Sequence, residues 1–249
     1  MKTHSTSTGS LHSGNTQLLH MPRPWDLSLS AKDKLMLHFI VHKKELDSLL
    51  PPAFEADSFE GNFFATIILQ SVNRTRFHDL PAFVQPPAYC EYRLRTYIVH
   101  AGTPCFYEVD IACNTFIAAM VMKRFSEFRC AAVKITHGEN FYSYHDKKKD
   151  RHMRLAFEIK HTIEKAPFDR WSMDRFASVY RRNATIYRQP VDHSEDVCRR
   201  IVLTDPQINF RYNNFRVNAD HVFHMLYTAS CETAYWKPGI VSPGGTGPS

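Results

Sequence analysis

Long hydrophobic runs are absent from this sequence, and glycine is scarce, at nine of 249 residues. Because a transmembrane helix needs about 20 consecutive apolar residues, we expect no membrane span. The shortage of glycine argues against the glycine-rich loops that hold phosphates and dinucleotides. No Cys-x-x-Cys or His-Glu-x-x-His spacing is present to hold zinc. We therefore expect neither a metal ion nor a cofactor.

An N-terminal apolar segment of the signal-peptide type is also missing. Disulfides persist mainly in oxidising compartments, so the six cysteines are interpreted as reduced, mostly buried thiols in a soluble, cytoplasmic protein. The cysteines are Cys90, Cys105, Cys113, Cys130, Cys198 and Cys231.

Charge of one sign is not concentrated along the chain. The 31 basic and 25 acidic residues give a net charge of +6, and only Lys147–Lys149 form a compact run. That run is interpreted as a solvated hairpin tip, and we expect no nucleic-acid partner. A basic protein that binds nucleic acid is kept as a third hypothesis, and it predicts strongly salt-dependent binding.

One folded domain is predicted over residues 25–237, because the sequence contains neither an internal repeat nor a clear linker. Residues 1–24 are rich in Ser, Thr, His and Gly and have no hydrophobic period, which predicts a disordered tail. A targeting segment is the alternative for that tail. Residues 238–249 are rich in Gly and Pro and are interpreted as a second disordered tail.

Aromatic residues, 18 phenylalanines and 11 tyrosines, dominate the large side chains and favour strands. The clearest hairpin joins Tyr89–His100 to Cys105–Ala112 through a turn at 101–104. Short helices are predicted at 43–50, 114–125 and 172–180. Many strands with two or three short helices predict an α+β fold that is mainly antiparallel β, arranged as a closed or nearly closed β-barrel or cone.

The segment that follows residue 90 is the most informative for function. Alternate residues of a strand share a face, and one face here carries three charged groups and a phenol: Glu91, Arg93, Arg95 and Tyr97. Either this face is solvated, as is common in antiparallel sheets, or it lines an enclosed interior. In an interior, Glu91 would pair with one arginine, and the second arginine would remain to bind an anionic or carbonyl ligand.

The order of landmarks resembles the YqjF-like family of uncharacterised bacterial proteins, a branch of the acetoacetate-decarboxylase-like fold. The matching pieces are His38-Phe39, Leu49-Leu50-Pro51-Pro52 with Glu55, Asp57, Phe59 and Gly61, Arg76 with Leu80-Pro81, Glu91–Tyr97, Glu108-Val109-Asp110 and Phe176–Tyr187. The resemblance runs from about Trp25 to Trp236. It implies a β-barrel or cone with a central cavity, and it favours the inward orientation of the charged face.

The resemblance also concerns the catalytic lysine. True acetoacetate decarboxylases use a Schiff-base lysine beside a second lysine, but Glu127-Phe128-Arg129 occupies that place here. The nearest lysines, Lys134 and Lys123, are weak catalytic candidates. His38 is a further candidate for acid/base work, although a hydrogen-bonded structural histidine is the favoured interpretation.

Phe106, Glu108 and Asp110 share one face of the return strand if its register is regular. The two carboxylates would either perform acid/base chemistry or pair with Arg93 and Arg95 across the hairpin, and the second interpretation is preferred. The leading hypothesis is a small-molecule-binding barrel that recognises an organic acid or a polar aromatic compound. Its ligand-binding residues are Glu91, Arg93, Arg95, Tyr97, His38 and Asp110.

The second hypothesis is a decarboxylase-like or dehydratase/lyase enzyme that acts on a small keto or hydroxy acid without the usual lysine pair. It would use acid/base groups or a relocated lysine. The identity of the ligand and assembly into a homo-oligomer stay open at this point.

Overall fold

The computed structural model describes residues 25–52, 54–125, 130–195 and 197–241. The predicted tail at 1–24, most of the one that begins at 238, and the Glu127-Phe128-Arg129 segment lie outside these residues. Within them, no helix has the length and apolar character that a membrane crossing requires.

Sixteen strands and three α-helices are present in the described ranges. The helices are α1 (Lys43–Asp47), α2 (Phe116–Phe125) and α3 (Pro167–Met173). The strands are β1 (Leu27–Val41), β2 (Glu55–Ala56), β3 (Phe63–Phe77), β4 (Tyr89–His100), β5 (Thr103–Cys113), β6 (Cys130–Ala132), β7 (Lys134–Gly138), β8 (Phe141–Asp146), β9 (Arg151–Thr162), β10 (Ala177–Arg182), β11 (Thr185–Glu195), β12 (Cys198–Leu203), β13 (Gln207–Tyr212), β14 (Phe215–Val217), β15 (Val222–Tyr235) and β16 (Gly239–Ile240).

Hydrogen bonds between strands close into a ring. Its order is β15-β1-β3-β4-β5-β10-β11, and β11 pairs again with β15, so that Val191 lies opposite Tyr235. All neighbours in the ring are antiparallel except β5 and β10, which are parallel. This arrangement confirms the predicted fold class of a mainly antiparallel, closed or nearly closed cone.

A second layer, called the outer layer, covers one side of the ring. It consists of β7, β8, β9, β12, β13 and β14, and it joins the ring where β12 pairs with β15. Aromatic side chains fill the space between the layers: the ring of Tyr92 lies 4.5 Å from that of Tyr144 and 5.8 Å from that of Phe210. Residues on the outer face of β1, β3, β4 and β5 therefore share one hydrophobic core with the outer layer.

The helix predicted at 172–180 is wrong. The structure has α3 earlier, where Pro167 occupies the first turn and the Asp169 carboxylate accepts the Ala166 N–H at 2.8 Å. Proline is pre-organised for a helix start. Residues 177–182 instead form β10, because they pair with β11 on one side and β5 on the other. The two strands predicted at 221–228 and 231–236 are one continuous strand, β15.

Candidate functional site

The charged face of β4 points into the ring. Glu91, Arg93, Arg95 and Tyr97 are 0%, 4%, 7% and 0% exposed. The opposite face is equally buried, against the outer layer. The alternative of a solvated face is therefore wrong, because β4 lies in the middle of the sheet with protein on both sides.

Arg93 is the centre of a buried ion network. Its Nε donates to Glu91 Oε1 at 2.5 Å, and its Nη1 lies 3.5 Å from Glu108 Oε1 and 3.0 Å from the Tyr235 hydroxyl. Burial alone would lower the pKa of Arg93, but Glu91, Tyr235 and Glu108 outweigh it and raise the pKa well above its ordinary value. The predicted pairing of Glu91 with an arginine is present, and Arg93 is the arginine that it engages.

Glu108 is the second carboxylate of this network. Burial raises its pKa above the ordinary value, although Arg93 and Arg95 act in the opposite direction. The preferred interpretation of Glu108 as a partner of the hairpin arginines matches its position, since it lies directly opposite Arg95 in the register of β4 and β5.

Arg95 differs from Arg93 in its surroundings. Its guanidinium lies flat over Phe106, with 3.8 Å between the guanidinium carbon and the ring centroid. Within the described part of the chain it forms no ion pair and no side-chain hydrogen bond, and its Nε is buried without a partner. A buried guanidinium nitrogen that lacks an acceptor is costly, and the described residues supply none for Arg95 Nε.

The space beside Arg95 is a cavity of about 40 Å³, called the inner cavity. All seven ring strands contribute to its wall, which consists of Lys34, Ile68, Gln70, Arg93, Arg95, Phe106, Glu108, Ser178, Val191, His193, Thr233 and Tyr235. Besides Arg95 Nε, the buried wall atoms without a hydrogen-bond partner among the described residues include Glu108 Oε2 and Ser178 Oγ. The inner cavity thus offers a charged donor, a carboxylate acceptor and a hydroxyl to whatever occupies it.

Tyr97 and His38 form a separate group deeper in the ring. The Thr66 hydroxyl lies 2.9 Å from His38 Nδ1 and 2.7 Å from the Tyr97 hydroxyl. Burial, with the nearby His224, Arg95 and Lys34, lowers the pKa of His38 well below its ordinary value. His38 is therefore neutral, and its hydrogen bond to Thr66 matches the favoured interpretation of a structural histidine.

Helix α3 covers this group. Phe168 packs edge-on against His38, with 5.1 Å between ring centroids, and Asp169 Oδ1 lies 2.8 Å from His224 Nε2. Because α3 occupies this end of the ring, His38 and Tyr97 are absent from the wall of the inner cavity.

Asp110 is placed away from the other predicted ligand-binding residues. Arg95 pairs with Glu108 but Leu94 pairs with Asp110, so β5 contains one extra residue, Val109, at this point. Such a bulge turns the following side chains to the opposite face. Asp110 consequently points outward and lies 2.9 Å from both Lys149 and Arg151.

The two weak catalytic candidates also lie outside the ring. Lys134 is exposed at the start of β7, and Lys123 is exposed near the end of α2. Lys123 lines a surface depression of about 810 Å³ beside the Val109 bulge, called the outer groove. Both amines are exposed, whereas a lysine activated by burial lies in a desolvated pocket.

Lys34 and Ser178 are among the residues of the inner cavity that sequence reasoning missed. Lys34 precedes Met36 and His38 by two and four residues, and this alternation places all three on the inner face of β1. That signal was available in the sequence. Alternation could not identify Ser178, because this residue lies in a segment that was wrongly predicted to be a helix.

No group of three or more histidine, cysteine or acidic side chains is arranged to hold a metal ion in the described ranges.

Comparison with known proteins shows which family this chain resembles over most of its length. The family model DUF2071, described as an uncharacterized conserved protein, matches residues 29–229. The uncharacterized protein YqjF of Bacillus subtilis (strain 168) is 22% identical over 178 residues, which cover 68% of this chain and 73% of that protein.

Solved structures of similar fold include those of two named enzymes. The enduracididine biosynthesis enzyme MppR complexed with pyruvate has a TM-score of 0.61 at 11% identity, with 92% of this chain and 95% of that chain covered. Acetoacetate decarboxylase from Legionella pneumophila subsp. pneumophila str. Philadelphia 1 has a TM-score of 0.59 at 9% identity, with 96% and 99% covered. These likenesses confirm the acetoacetate-decarboxylase-like fold that the landmarks predicted.

Proposed function

This chain belongs to the DUF2071 family of uncharacterized conserved proteins, and we propose that it binds a small organic acid in the inner cavity, with Arg95 as the principal contact. The observation that carries the proposal is the contrast between the two buried arginines. Arg93 is held by Glu91 and Glu108, whereas Arg95 has an aromatic ring beneath it and no acceptor among the described residues. A guanidinium binds a carboxylate through two parallel hydrogen bonds.

The size and chemistry of the inner cavity narrow the ligand class. A volume of about 40 Å³ holds a few water molecules or a ligand of few non-hydrogen atoms, which favours an organic acid over an aromatic compound. Glu108 Oε2 and Ser178 Oγ add an acceptor and a hydroxyl. A short acid that carries a hydroxyl or keto group satisfies these atoms together with Arg95. The pyruvate complex of the structural neighbour MppR supports the same ligand class.

We also propose that residues 25–237 form one folded domain and that the protein acts in the cytoplasm. Its partner is a small molecule, and it binds neither nucleic acid nor a membrane. The interspersed charges support this proposal, because no long run of basic residues is available to follow a phosphate backbone. A homo-oligomer is compatible with it.

The experiment measures binding of short hydroxy and keto acids, such as glycolate and pyruvate, by calorimetry. For an acid that binds, Arg95→Ala should reduce affinity by about 100-fold, since a charge-assisted pair contributes about 3 kcal/mol. Arg95→Lys should recover part of the loss.

Arg154→Ala is the matched control, because Arg154 also lies over an aromatic ring, that of Phe141, but does so on the protein surface. This variant should bind like the wild type. Equal affinity of the wild type and Arg95→Ala for the acid would exclude the assigned site.

A second candidate function is a lyase that uses a lysine at a position different from that of the usual lysine pair, and the position of Lys34 favours it. Lys34 is 6% exposed and shares the inner cavity with Arg95, where its amine could attack a carbonyl carbon of a keto acid bound to the guanidinium. Borohydride reduction in the presence of pyruvate distinguishes the two functions. A covalent adduct that is lost in Lys34→Arg and kept in Lys134→Arg supports the lyase, whereas binding without an adduct supports the binding protein.

A further inference from the structure

Two cysteine thiols lie in contact at the edge of the ring. Cys113 is the last residue of β5 and Cys130 is the first residue of β6, and their Sγ atoms are 3.1 Å apart. Both are free thiols. Neither the network around Arg93 nor the inner cavity uses this pair in the function proposed above.

Strand pairing fixes the two thiols side by side. β6 runs parallel to β5, with Cys130 opposite Ile111, and Cys113 follows Ile111 by two residues. Residues two apart on a strand share a face, so both sulfur atoms point to the same side of the sheet. A disulfide requires a sulfur–sulfur distance of about 2.05 Å, so oxidation has to bring the two sulfur atoms, now 3.1 Å apart, about 1 Å closer.

The two sulfur atoms differ in accessibility. Cys113 is fully buried, whereas Cys130 is half-buried and lines the outer groove. A small oxidant can therefore reach Cys130 from the groove, whereas Cys113 is buried and contacts Cys130 from the inside. This division resembles the roles of an attacking and a resolving thiol.

The proton of Cys130 is shared across the contact. The Cys130 thiol donates to Cys113 Sγ, and this hydrogen bond lowers the pKa of Cys113 in spite of its burial. The same hydrogen bond and burial raise the pKa of Cys130. Cys113 therefore loses its proton first, and attack by Cys130 requires the shared proton to pass along the contact from Cys130 Sγ to Cys113 Sγ.

We propose that Cys113 and Cys130 form an intramolecular disulfide when the protein meets a hydroperoxide. The Cys130 thiolate attacks the peroxide, its sulfur is oxidised to a sulfenic acid, and the leaving oxygen departs as water after taking up a proton. Cys113 then attacks the Cys130 sulfur, and the hydroxide that leaves takes up the second thiol proton to form water. Two thiols and hydrogen peroxide thus give one disulfide and two water molecules.

The experiment treats the reduced full-length protein with hydrogen peroxide, blocks the remaining thiols with iodoacetamide and maps the peptides by mass spectrometry without reduction. The expected result is one cross-linked peptide pair that contains Cys113 and Cys130 and that disappears after treatment with dithiothreitol. Cys90 and Cys105 have no thiol partner among the described residues, and their peptides should remain fully alkylated at the same peroxide concentration.

Cys130→Ser and Cys113→Ser should each abolish the cross-link, and Cys105→Ser is the matched control that should keep it. Because the buried Cys113→Ser variant can fail to fold, the wild-type peptide map and the half-buried Cys130→Ser variant decide the question without it. Oxidation of Cys130 to a sulfinic acid with Cys113 still alkylated, or a cross-link to a different cysteine, would overturn the proposal.

Discussion

The inner and outer faces of β4 are both buried, but different interactions stabilise them. The inner face carries an ion network in which Arg93 joins two carboxylates, whereas the outer face packs Tyr92, Leu94 and Ile98 against the outer layer. Burying apolar area is favourable at any well-packed position. Burying charge is favourable only when each group finds its partner, so the inner face depends on every member of its network.

This difference shows where stability and function separate in the molecule. On the outer face of β4, the buried side-chain atoms that lack a hydrogen-bond partner in the part of the chain described are the Tyr92 hydroxyl and, at the end of the strand, His100 Nδ1. The inner face leaves Arg95 Nε, Glu108 Oε2 and Ser178 Oγ incompletely bonded. Such atoms lower stability unless water or a ligand binds them, and this cost is typical of a binding site.

Removing one carboxylate from the inner face should produce the largest effect. Glu91→Ala removes the nearest carboxylate from the buried Arg93 and leaves Glu108 at 3.5 Å and the Tyr235 hydroxyl at 3.0 Å, and the poorly balanced charge should lower the free energy of unfolding by about 3–5 kcal/mol. Urea denaturation measures this change. The double variant Glu91→Leu/Arg93→Met is the control, since it removes both charges and should recover most of the loss; a double variant as unstable as the single one would contradict the charge argument.

The outer face should respond to lost volume and not to lost charge. Leu94 is 1% exposed, and Leu94→Ala should lower the free energy of unfolding by about 3 kcal/mol because it creates a cavity. Acid binding at 25 °C should stay unchanged in this variant, as measured by calorimetry. A loss of affinity as large as that of Arg95→Ala would show that the two faces are not independent.

Acid should weaken the inner face more than the outer face. Burial, His224, Arg95 and Lys34 lower the pKa of His38. Below about pH 6.5, His38 therefore binds a proton in the unfolded chain but not in the folded protein. Stability should therefore fall as the pH drops from about 6.5, by up to about 1.4 kcal/mol per pH unit from this group. His38→Gln should flatten the profile measured by urea denaturation between pH 7 and 5, whereas the exposed His152→Gln should not.

Replacing Asp110 should have the smallest effect on stability and on acid binding of the changes considered for the two faces. It lies on the outer side of β5 with Lys149 and Arg151, and partly exposed ion pairs contribute about 0–1 kcal/mol. Asp110→Asn should change stability by less than about 1 kcal/mol and leave acid affinity unchanged. Reduced affinity in a variant that folds normally would place Asp110 in the site after all.

The sequence predicted β4 well because its pattern is local. Alternation from Glu91 to Ile98 separates the two faces, and the family resemblance favoured the inward direction that burial confirms. Asp110 was misplaced because a one-residue bulge at Val109 leaves no sign in a pattern of period two. Ser178 was missed because its conformation depends on pairing with β5, about 70 residues earlier in the chain.

One further consequence comes from β15, which has two partners along the same edge. Residues 231–235 pair with β11 in the ring, and residues 227–228 pair with β12, which belongs to the outer layer. The ring and the outer layer therefore share a backbone ladder and cannot melt one after the other without breaking the same strand. Heating should accordingly give a single cooperative transition, with calorimetric and van't Hoff enthalpies that agree.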